Sequence, residues 1–282
     1  AMERALYPER FIVGCEDPNQ PLRPELQQYL ESFDCPILPM RYESAELAKI
    51  SINMCLVASV TTANTLAEIC EHIGADWSEI VPALRLDKRI GQNAYLKPGL
   101  GIAGGNLERD LATVLSYAQK YQTDGGVVSA WMDNSKHRKN WPWETLNDLV
   151  LTKIEKPKIA ILGLTYKENT HSIKNSPSIA LLNKIQGHSI AAFDPAAEID
   201  AEGQDITRTE FAIDATEQAD VLLVMTPWPE FHNLTTANLI KSMSGRVVID
   251  PYQVLDGIDL VKHGFTYATL GESLRQPLMV SN

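Results

Sequence analysis

The chain has 282 residues, 44% of them hydrophobic and 22% charged, which is enough apolar material to bury the cores of two soluble globular domains. Its 25 basic and 36 acidic residues leave a formal charge of -11, and the one basic run, Lys136-His137-Arg138-Lys139, does not offset the repulsion of a polyphosphate backbone, so no nucleic-acid partner is expected. No apolar run reaches the length of a membrane span and the opening AMERALYPERF has neither a basic leader nor an apolar signal core, so a cytoplasmic protein with no membrane partner is expected.

Residues 1–42 read as a fragment of something larger: a strand at Arg10 to Gly14, an acidic loop, a helix from about Pro24 to Phe33 and a strand at Pro36 to Pro39. Two strands and one helix are too little for a closed sheet. A long helical pattern follows from Ser44 to His72, stopped by Gly74, about 28 residues and roughly 40 Å in length. Small residues among its apolar positions (Ala48, Ser51, Ala58, Ser59, Ala63) predict a helix crowded on several sides, a spine between domains or subunits. Lys49 and Asn53, four apart, share one face of it. Lys49 is either a snorkelling surface lysine or an electrophile held in a cleft. Cys15, Cys35, Cys55 and Cys70 form no CxxC pair and read as reduced and mostly packed. The six histidines lie apart, so no metal site is expected.

Shorter helices are predicted at about 77–85, 107–122 and 126–152, the last broken at Pro142. Ahead of the second comes Arg89-Ile90-Gly91 and then YLKPGLGIAGGNLERD, Tyr95 to Asp110. Four glycines in seven residues, Gly101 and Gly104 among them, let backbone amides approach a ligand, and the run leads into a helix N-terminus that favours anionic oxygen. Such a run is a hinge as often as a site; Arg89, Lys97 and Arg109 around it favour an anion site.

After Lys156-Pro157 the pattern changes to strands at 158–163, 189–193, 220–225, 246–250 and near 265–268. Between them lie helices at Ser176-Pro177 and near 207–217, 235–242 and 253–262. Nearly continuous apolar strands alternating with helices predict a parallel sheet covered on both faces, a Rossmann-like domain. Its first strand runs into Gly163-Leu164-Thr165-Tyr166-Lys167, and its second ends at Asp194. One glycine stands where a dinucleotide fingerprint has three, so an NAD pyrophosphate is not expected against this turn. Lys167 and Lys174 flank a loop rich in donors, which is either a site for a mono- or diphosphate or a solvated polar loop.

Taken in order, these segments resemble the UDP-glucose/GDP-mannose dehydrogenase family. AELAKISINMCLVASVTTANTLAEIC is similar to its central helix, RIGQNAYLKPGLGIAGGNLERD to its catalytic loop, and GLTYKENTHSIKNSPS to the phosphate loop of its UDP-binding domain. ADVLLVMTPWPEF and VVIDPYQVLD are similar to later segments of that domain. The resemblance implies an α/β protein: an all-helical central dimerisation domain with a long spine helix (43–155) and a C-terminal nucleotide-sugar-binding Rossmann-like domain (156–282), preceded by a remnant of a dinucleotide-binding domain (1–42). It further implies a homodimer and NAD-dependent oxidation of a nucleotide sugar at C6, in the manner of polysaccharide-precursor enzymes, through a cysteine-bound intermediate.

By that resemblance Lys49 and Asn53 stabilise an oxyanion or a catalytic water and Asp110 orders the water. Arg89, Tyr95, Lys97, Gly101, Gly104 and Lys167 hold substrate, while Arg109 and Lys174 are the candidates for cofactor contact. The family's GGSCFPKD cysteine falls on Asn106, an amide that cannot form a thioester. Its lysine has become Arg109, and Tyr252 stands where an arginine is expected. The NAD fingerprint and the catalytic glutamate have no counterpart. The expectations are therefore a divergent oxidoreductase separated from its NAD domain, with Ala1-Met2 as a cloning remnant; a pseudoenzyme that binds nucleotide sugars or dimerises; or a fragment without a ligand. UDP and GDP both stay open, as does the sugar.

Overall fold

The computed structural model describes residues 5–198, 206–255 and 259–277, so Ala1-Met2 and part of the helix expected near 253–262 lie outside the described residues. The chain divides into two compact units between Leu56 and Val57. In the first unit, β1 (Phe11–Cys15) and β2 (Ile37–Arg41) pair in parallel from Phe11↔Ile37 to Cys15↔Arg41. Parallel pairing needs a crossover, supplied by α1 (Pro24–Glu31), whose opening proline presets the helical φ. Phe33 packs edge-on against Phe11 and Tyr29, with ring centroids 5.3 and 5.4 Å apart.

The spine helix α2 (Tyr42–Ile73, 32 residues) starts directly after β2 and stops at Gly74, which takes φ +78°. It is long and apolar enough to cross a membrane by length and composition, contrary to the reading of the sequence as lacking any such run. The signal was hidden because Ser, Thr and Asn interrupt the apolar positions, yet the average over the helix stays apolar. Hydroxyls of Thr61, Thr62 and Thr65 donate to the carbonyls of Val57, Ala58 and Thr61, four residues back, which is how polar side chains are accommodated inside a helix. Burial is confined to the second half, at Val57, Thr61, Ala63, Asn64, Ala67 and Cys70. Crowding on several sides is thus true of that half alone, and Ser51 is exposed. None of the four cysteines forms a disulfide among the described residues, and Cys55 is exposed rather than packed.

In the second unit α3 (Trp77–Leu86) is capped by Asp76, whose carboxylate accepts from Ser78 N at 2.7 Å. Helices α4 (Asn106–Tyr121) and α5 (Gly126–Leu146) follow. Pro142 does not break α5 as expected: Trp141, Pro142 and Leu146 are buried, and their packing holds the helix through the missing N–H. The irregularity falls later, in a π-type turn at Asn147–Leu151 where Thr152 N donates to Asn147 O at 3.1 Å.

Six parallel strands then form one sheet: β3 (Lys158–Leu162), β4 (Ser189–Phe193), β5 (Ile206–Arg208), β6 (Val221–Val224), β7 (Val247–Ile249) and β8 (Thr266–Ala268). Their spatial order is β5-β4-β3-β6-β7-β8, the doubly wound order that reverses between β3 and β6. Side chains alternate into two cores: Ile159, Ile161, Val221 and Leu223 meet Leu146 and Leu181 on one face, while Ala160, Leu162, Leu222 and Val224 meet Phe231 and Phe265 on the other. Helix α6 (Pro177–Lys184) is capped by Ser176, which accepts from Ser178 N, and α8 (Thr236–Ser242) by Thr235.

Two expected helices do not form among the described residues. The stretch 207–217 splits into β5, whose β-branched Ile206 and Thr207 suit an edge strand, and the single turn α7 (Ala212–Ala215). Around 253–262, Asp250 draws Tyr252 N and Leu255 N into a turn, and a 3-10 turn at Val261–His263 follows.

Candidate active site

The glycine segment between Leu96 and α4 is held from three directions. Asn64 of α2 accepts from Gly99 N at 2.8 Å, Ser135 of α5 accepts from Ile102 N at 2.7 Å, and Trp77 of α3 donates its indole N–H to Leu96 O at 2.7 Å. Gly101 adopts φ +75°, and a Cβ there would lie 2.3 Å from Ser135 O. Gly104 takes φ +84° with the Tyr166 ring 3.1 Å from where its Cβ would be. At Gly101 only glycine fits both the conformation and the space, and at Gly104 the positive φ favours it.

This segment meets the loop after β3. Asn175 donates Nδ2 to Gly104 O at 2.8 Å and also to the Glu108 carboxylate in the first turn of α4. Lys139 of α5 pairs with Glu108 at 2.8 Å. The Lys174 ammonium lies 3.2 Å from the position a Cβ on Gly105 would take, beside the α4 N-terminus. Lys167 stands over the Tyr166 ring, 5.6 Å from its centroid, and is exposed. Gly104, Lys167 and Lys174, flagged in separate stretches of sequence, therefore border one surface.

The loop after β3 is itself pinned by Asp194. Its buried carboxylate accepts from Leu164 N (2.6 Å), Thr165 N (3.0 Å), Ala196 N and Ala197 N (both 2.8 Å), the Thr165 hydroxyl and the Trp228 indole. Burial pushes this carboxyl up, but the four backbone N–H groups outweigh it and hold the group below the usual carboxylate range.

Asn106 is the first residue of α4 and is exposed. Asp110, one turn on, is buried, and Arg109 lies on its carboxylate at 3.4 Å with its own guanidinium open to solvent. Lys97 lines a cavity of about 310 Å³ with Trp77, Arg85, Leu96, Pro98 and Tyr252. Burial, then the carboxylates of Glu168 and Asp250, push the Tyr252 phenol up, so it stays protonated. Tyr95 is exposed near this segment. Arg89 is turned back onto Asp87 through two bonds of 2.7 and 3.0 Å on an exposed turn after α3. Lys49 is exposed and Asn53 half-buried on the part of α2 that belongs to the first unit.

Sequence reasoning missed Asn64, Ser135 and Trp77, which shape the glycine turn. It also missed the fully buried Arg138, which it read as part of a basic run. Arg138 Nη2 meets Glu71 at 2.7 Å, and Glu71 also accepts from Trp141 Nε1 (2.9 Å) and Gly271 N (3.0 Å). An asparagine in an apolar helical stretch, with no other partner nearby in sequence, was the available signal for Asn64.

Residues 43–136 match the model of the UDP-glucose/GDP-mannose dehydrogenase family, central domain, and residues 160–257 match the UDP binding domain of the same family. The UDP-glucose 6-dehydrogenase of Rickettsia conorii is 27% identical over 285 residues, covering 97% of this chain and 64% of that protein. That of Rhizobium meliloti is 29% identical over 280 residues, covering 96% and 63%. Among solved structures, a UDP-glucose dehydrogenase from Pyrobaculum islandicum superposes with a TM-score of 0.80 at 22% identity, over 96% of this chain and 61% of that one. A UDP-D-ManNAc dehydrogenase from Pyrococcus horikoshii gives 0.74 at 21% identity, also over 96% and 61%. The chain thus spans just under two thirds of the length of these relatives, and at such identities the structural likeness establishes the fold.

Proposed function

Because the chain belongs to the UDP-glucose/GDP-mannose dehydrogenase family, we propose that it is the substrate-side portion of a nucleotide-sugar dehydrogenase that oxidises a UDP- or GDP-sugar at C6. The observation that carries this reading is the junction at Gly104 and Gly105, where the glycine turn, the α4 N-terminus and the Tyr166 to Asn175 loop come together. Backbone amides, a helix N-terminus and the ammonium of Lys174 in one place suit the anionic oxygens of a sugar nucleotide. In this reading Lys97, Tyr95, Gly101, Gly104 and Lys167 grip the substrate, and Arg89 reaches it from its exposed turn. Lys49 and Asn53 stabilise the oxyanion, and Asp110 orders water. The domains follow as 1–42, 43–155 and 156–282, the first a remnant of a dinucleotide-binding domain.

NAD is the oxidant that the family resemblance implies, with Arg109 and Lys174 as the contacts from this portion. The described residues do not themselves fit its pyrophosphate. β1 runs into Gly14-Cys15-Glu16 and β3 into Gly163 alone, neither of them a three-glycine turn. Binding and orienting the sugar nucleotide is therefore what these residues contribute. Homodimerisation through α2 is supported by the exposed Leu47, Leu66, Ile69 and Ile73, and a cytoplasmic location goes with the proposed substrate.

The test is thermal melting of the 282-residue chain. UDP should raise the midpoint in proportion to the logarithm of its concentration above Kd, as any ligand confined to the native state does, the added stability reaching about 2.7 kcal/mol at a hundred times Kd, with GDP as the competing nucleotide and NAD alone giving little. No concentration-dependent shift with either nucleotide overturns the reading. Asn106 favours a second reading, a pseudoenzyme that binds the nucleotide sugar without completing the chemistry. Supplying an upstream NAD domain and counting NADH per sugar separates them: one or two for an oxidoreductase, none for the pseudoenzyme.

A further inference from the structure

We infer that Glu108 is a positioning residue, a latch that holds the loop after β3 on the glycine turn and so sets the affinity of the junction for an anionic ligand. The inference deepens the reading of that junction as the substrate site, and rests on it for the identity of the ligand. Two hydrogen bonds that join the Tyr166 to Asn175 loop to the glycine turn and α4 leave a single atom, Nδ2 of Asn175. It donates to Gly104 O at 2.8 Å and to the Glu108 carboxylate. A side-chain amide carries two N–H donors at one end and a carbonyl at the other, so both donors are used here. Turned the other way round, Asn175 would set its carbonyl oxygen against Gly104 O, acceptor against acceptor, and the loop would lose its hold. An ionised carboxylate only accepts, so Glu108 selects the orientation in which the nitrogen faces the turn.

Glu108 is itself held, by Lys139 of α5 at 2.8 Å, with both side chains partly buried. On the loop side, Asn175 adopts φ +55°, a left-handed conformation that asparagine tolerates, and Ser176 directly after it caps α6. Lys174 therefore precedes two fixed residues, and its ammonium is carried to 3.2 Å from the position of a Cβ on Gly105. Charge alone acts in the opposite direction. Glu108 lies in the first turn of α4 and repels an anion at that helix N-terminus, so deleting its charge would by itself tighten binding. The latch requires that the same deletion weaken it, and the two effects differ in sign.

Hydrogen exchange of the full chain followed by mass spectrometry, together with calorimetric titration by UDP, tests this. In Glu108→Ala and in Asn175→Ala, amide exchange should speed up across residues 166–175, while exchange in β3 and β6 and the urea midpoint stay as in the wild type. A merely structural loss would move all of these. UDP should bind about five-fold more weakly to each variant. The double variant should bind no more weakly than Asn175→Ala, because both changes act through one contact. Glu108→Gln keeps an acceptor for Asn175 and should stay within about two-fold of the wild type, which carries the test should the alanine variant misfold. Unchanged loop exchange in Glu108→Ala overturns the inference, as does tighter UDP binding by that variant. If the wild type binds neither UDP nor GDP, the nucleotide-sugar reading fails, and inorganic pyrophosphate, judged by the same ratios, decides the inference. Absence of pyrophosphate binding as well overturns it.

Discussion

Arg138 gives the sharpest test of how the second unit is held together. Its side chain is fully buried, and it joins α5 to Glu71 near the end of α2, while Glu71 in turn accepts from Gly271 beyond β8. Replacing Arg138 by Met keeps most of the stem volume but leaves the Glu71 carboxylate, 11% exposed, with only two neutral donors. Removing one partner of a buried ion pair costs about 3–5 kcal/mol, because the other charge is stranded. A shift of roughly 2–4 °C per kcal/mol for a unit of this size puts the midpoint about 6–20 °C lower. Glu68→Gln is the contrast: its carboxylate is 29% exposed and 3.3 Å from the same guanidinium, so its loss costs under about 1 kcal/mol. Urea unfolding followed by tryptophan fluorescence reports the site directly, since Trp141 sits on Glu71. The double variant Arg138→Met/Glu71→Gln should recover part of the single loss. Arg138→Met lying within about 1 kcal/mol of wild type, or Glu68→Gln and Glu71→Gln costing the same, would refute the reasoning.

Asp194→Asn should cost about 2–4 kcal/mol, since an amide cannot accept from all six donors. The folded carboxyl lies below its unfolded value near 3.9, so its contribution is complete above about pH 4 and fades as pH falls through the lower folded value. The difference between wild type and variant in urea melts should shrink in acid, and a constant difference down to pH 2 would contradict this. Gly101→Ala and Gly74→Ala share a positive φ, but the first meets Ser135 O and the second meets nothing within 4 Å. Gly74→Ala should cost about 1–2 kcal/mol from backbone strain alone and Gly101→Ala distinctly more, with loss of UDP-induced stabilisation. Asn106→Cys would place a thiol on the first residue of α4 near the Lys174 ammonium, and its pKa should fall below the ordinary 8.5. The pH profile of alkylation, corrected for the exposed Cys55 with the wild type, should show this and move back up in Lys174→Met.

Much of the fold was readable because its signals are local. Ser176-Pro177 announces α6, and nearly continuous apolar runs announce β3 and β6. Gly99 to Gly105 announces a turn ahead of α4. What escaped depends on partners far along the chain. Nothing in Lys136-His137-Arg138-Lys139 says that one of four basic residues will be buried, because the carboxylates that bury it come from a helix about seventy positions earlier. Asn64 likewise looks like a misplaced polar residue until the amide of Gly99 arrives, and Pro142 looks like a helix break until Trp141 and Leu146 hold it in a packed interior. The short edge strand β5 has too few residues for a period to register, so its neighbour's helical pattern absorbed it.

The single glycine after β3 has a physical explanation that bears on where a ligand can lie. In a doubly wound sheet the crevice for a bound molecule opens where strand order reverses, here between β3 and β6. A Cβ at Gly163 would come within 2.5 Å of the backbone N and Cβ of Thr226, just past β6, and the Thr226 hydroxyl donates to Thr165 O at 2.6 Å. The glycine is therefore needed to let the two strand ends approach each other this closely. A sugar nucleotide bound as proposed lies on the loop beyond Thr165, where that loop meets the glycine turn. That loop is anchored below by Asp194 and reaches the glycine turn through Asn175. The sheet then serves as a rigid mount, and specificity rests on two loops whose residues, some sixty to seventy positions apart in sequence, meet at Gly104.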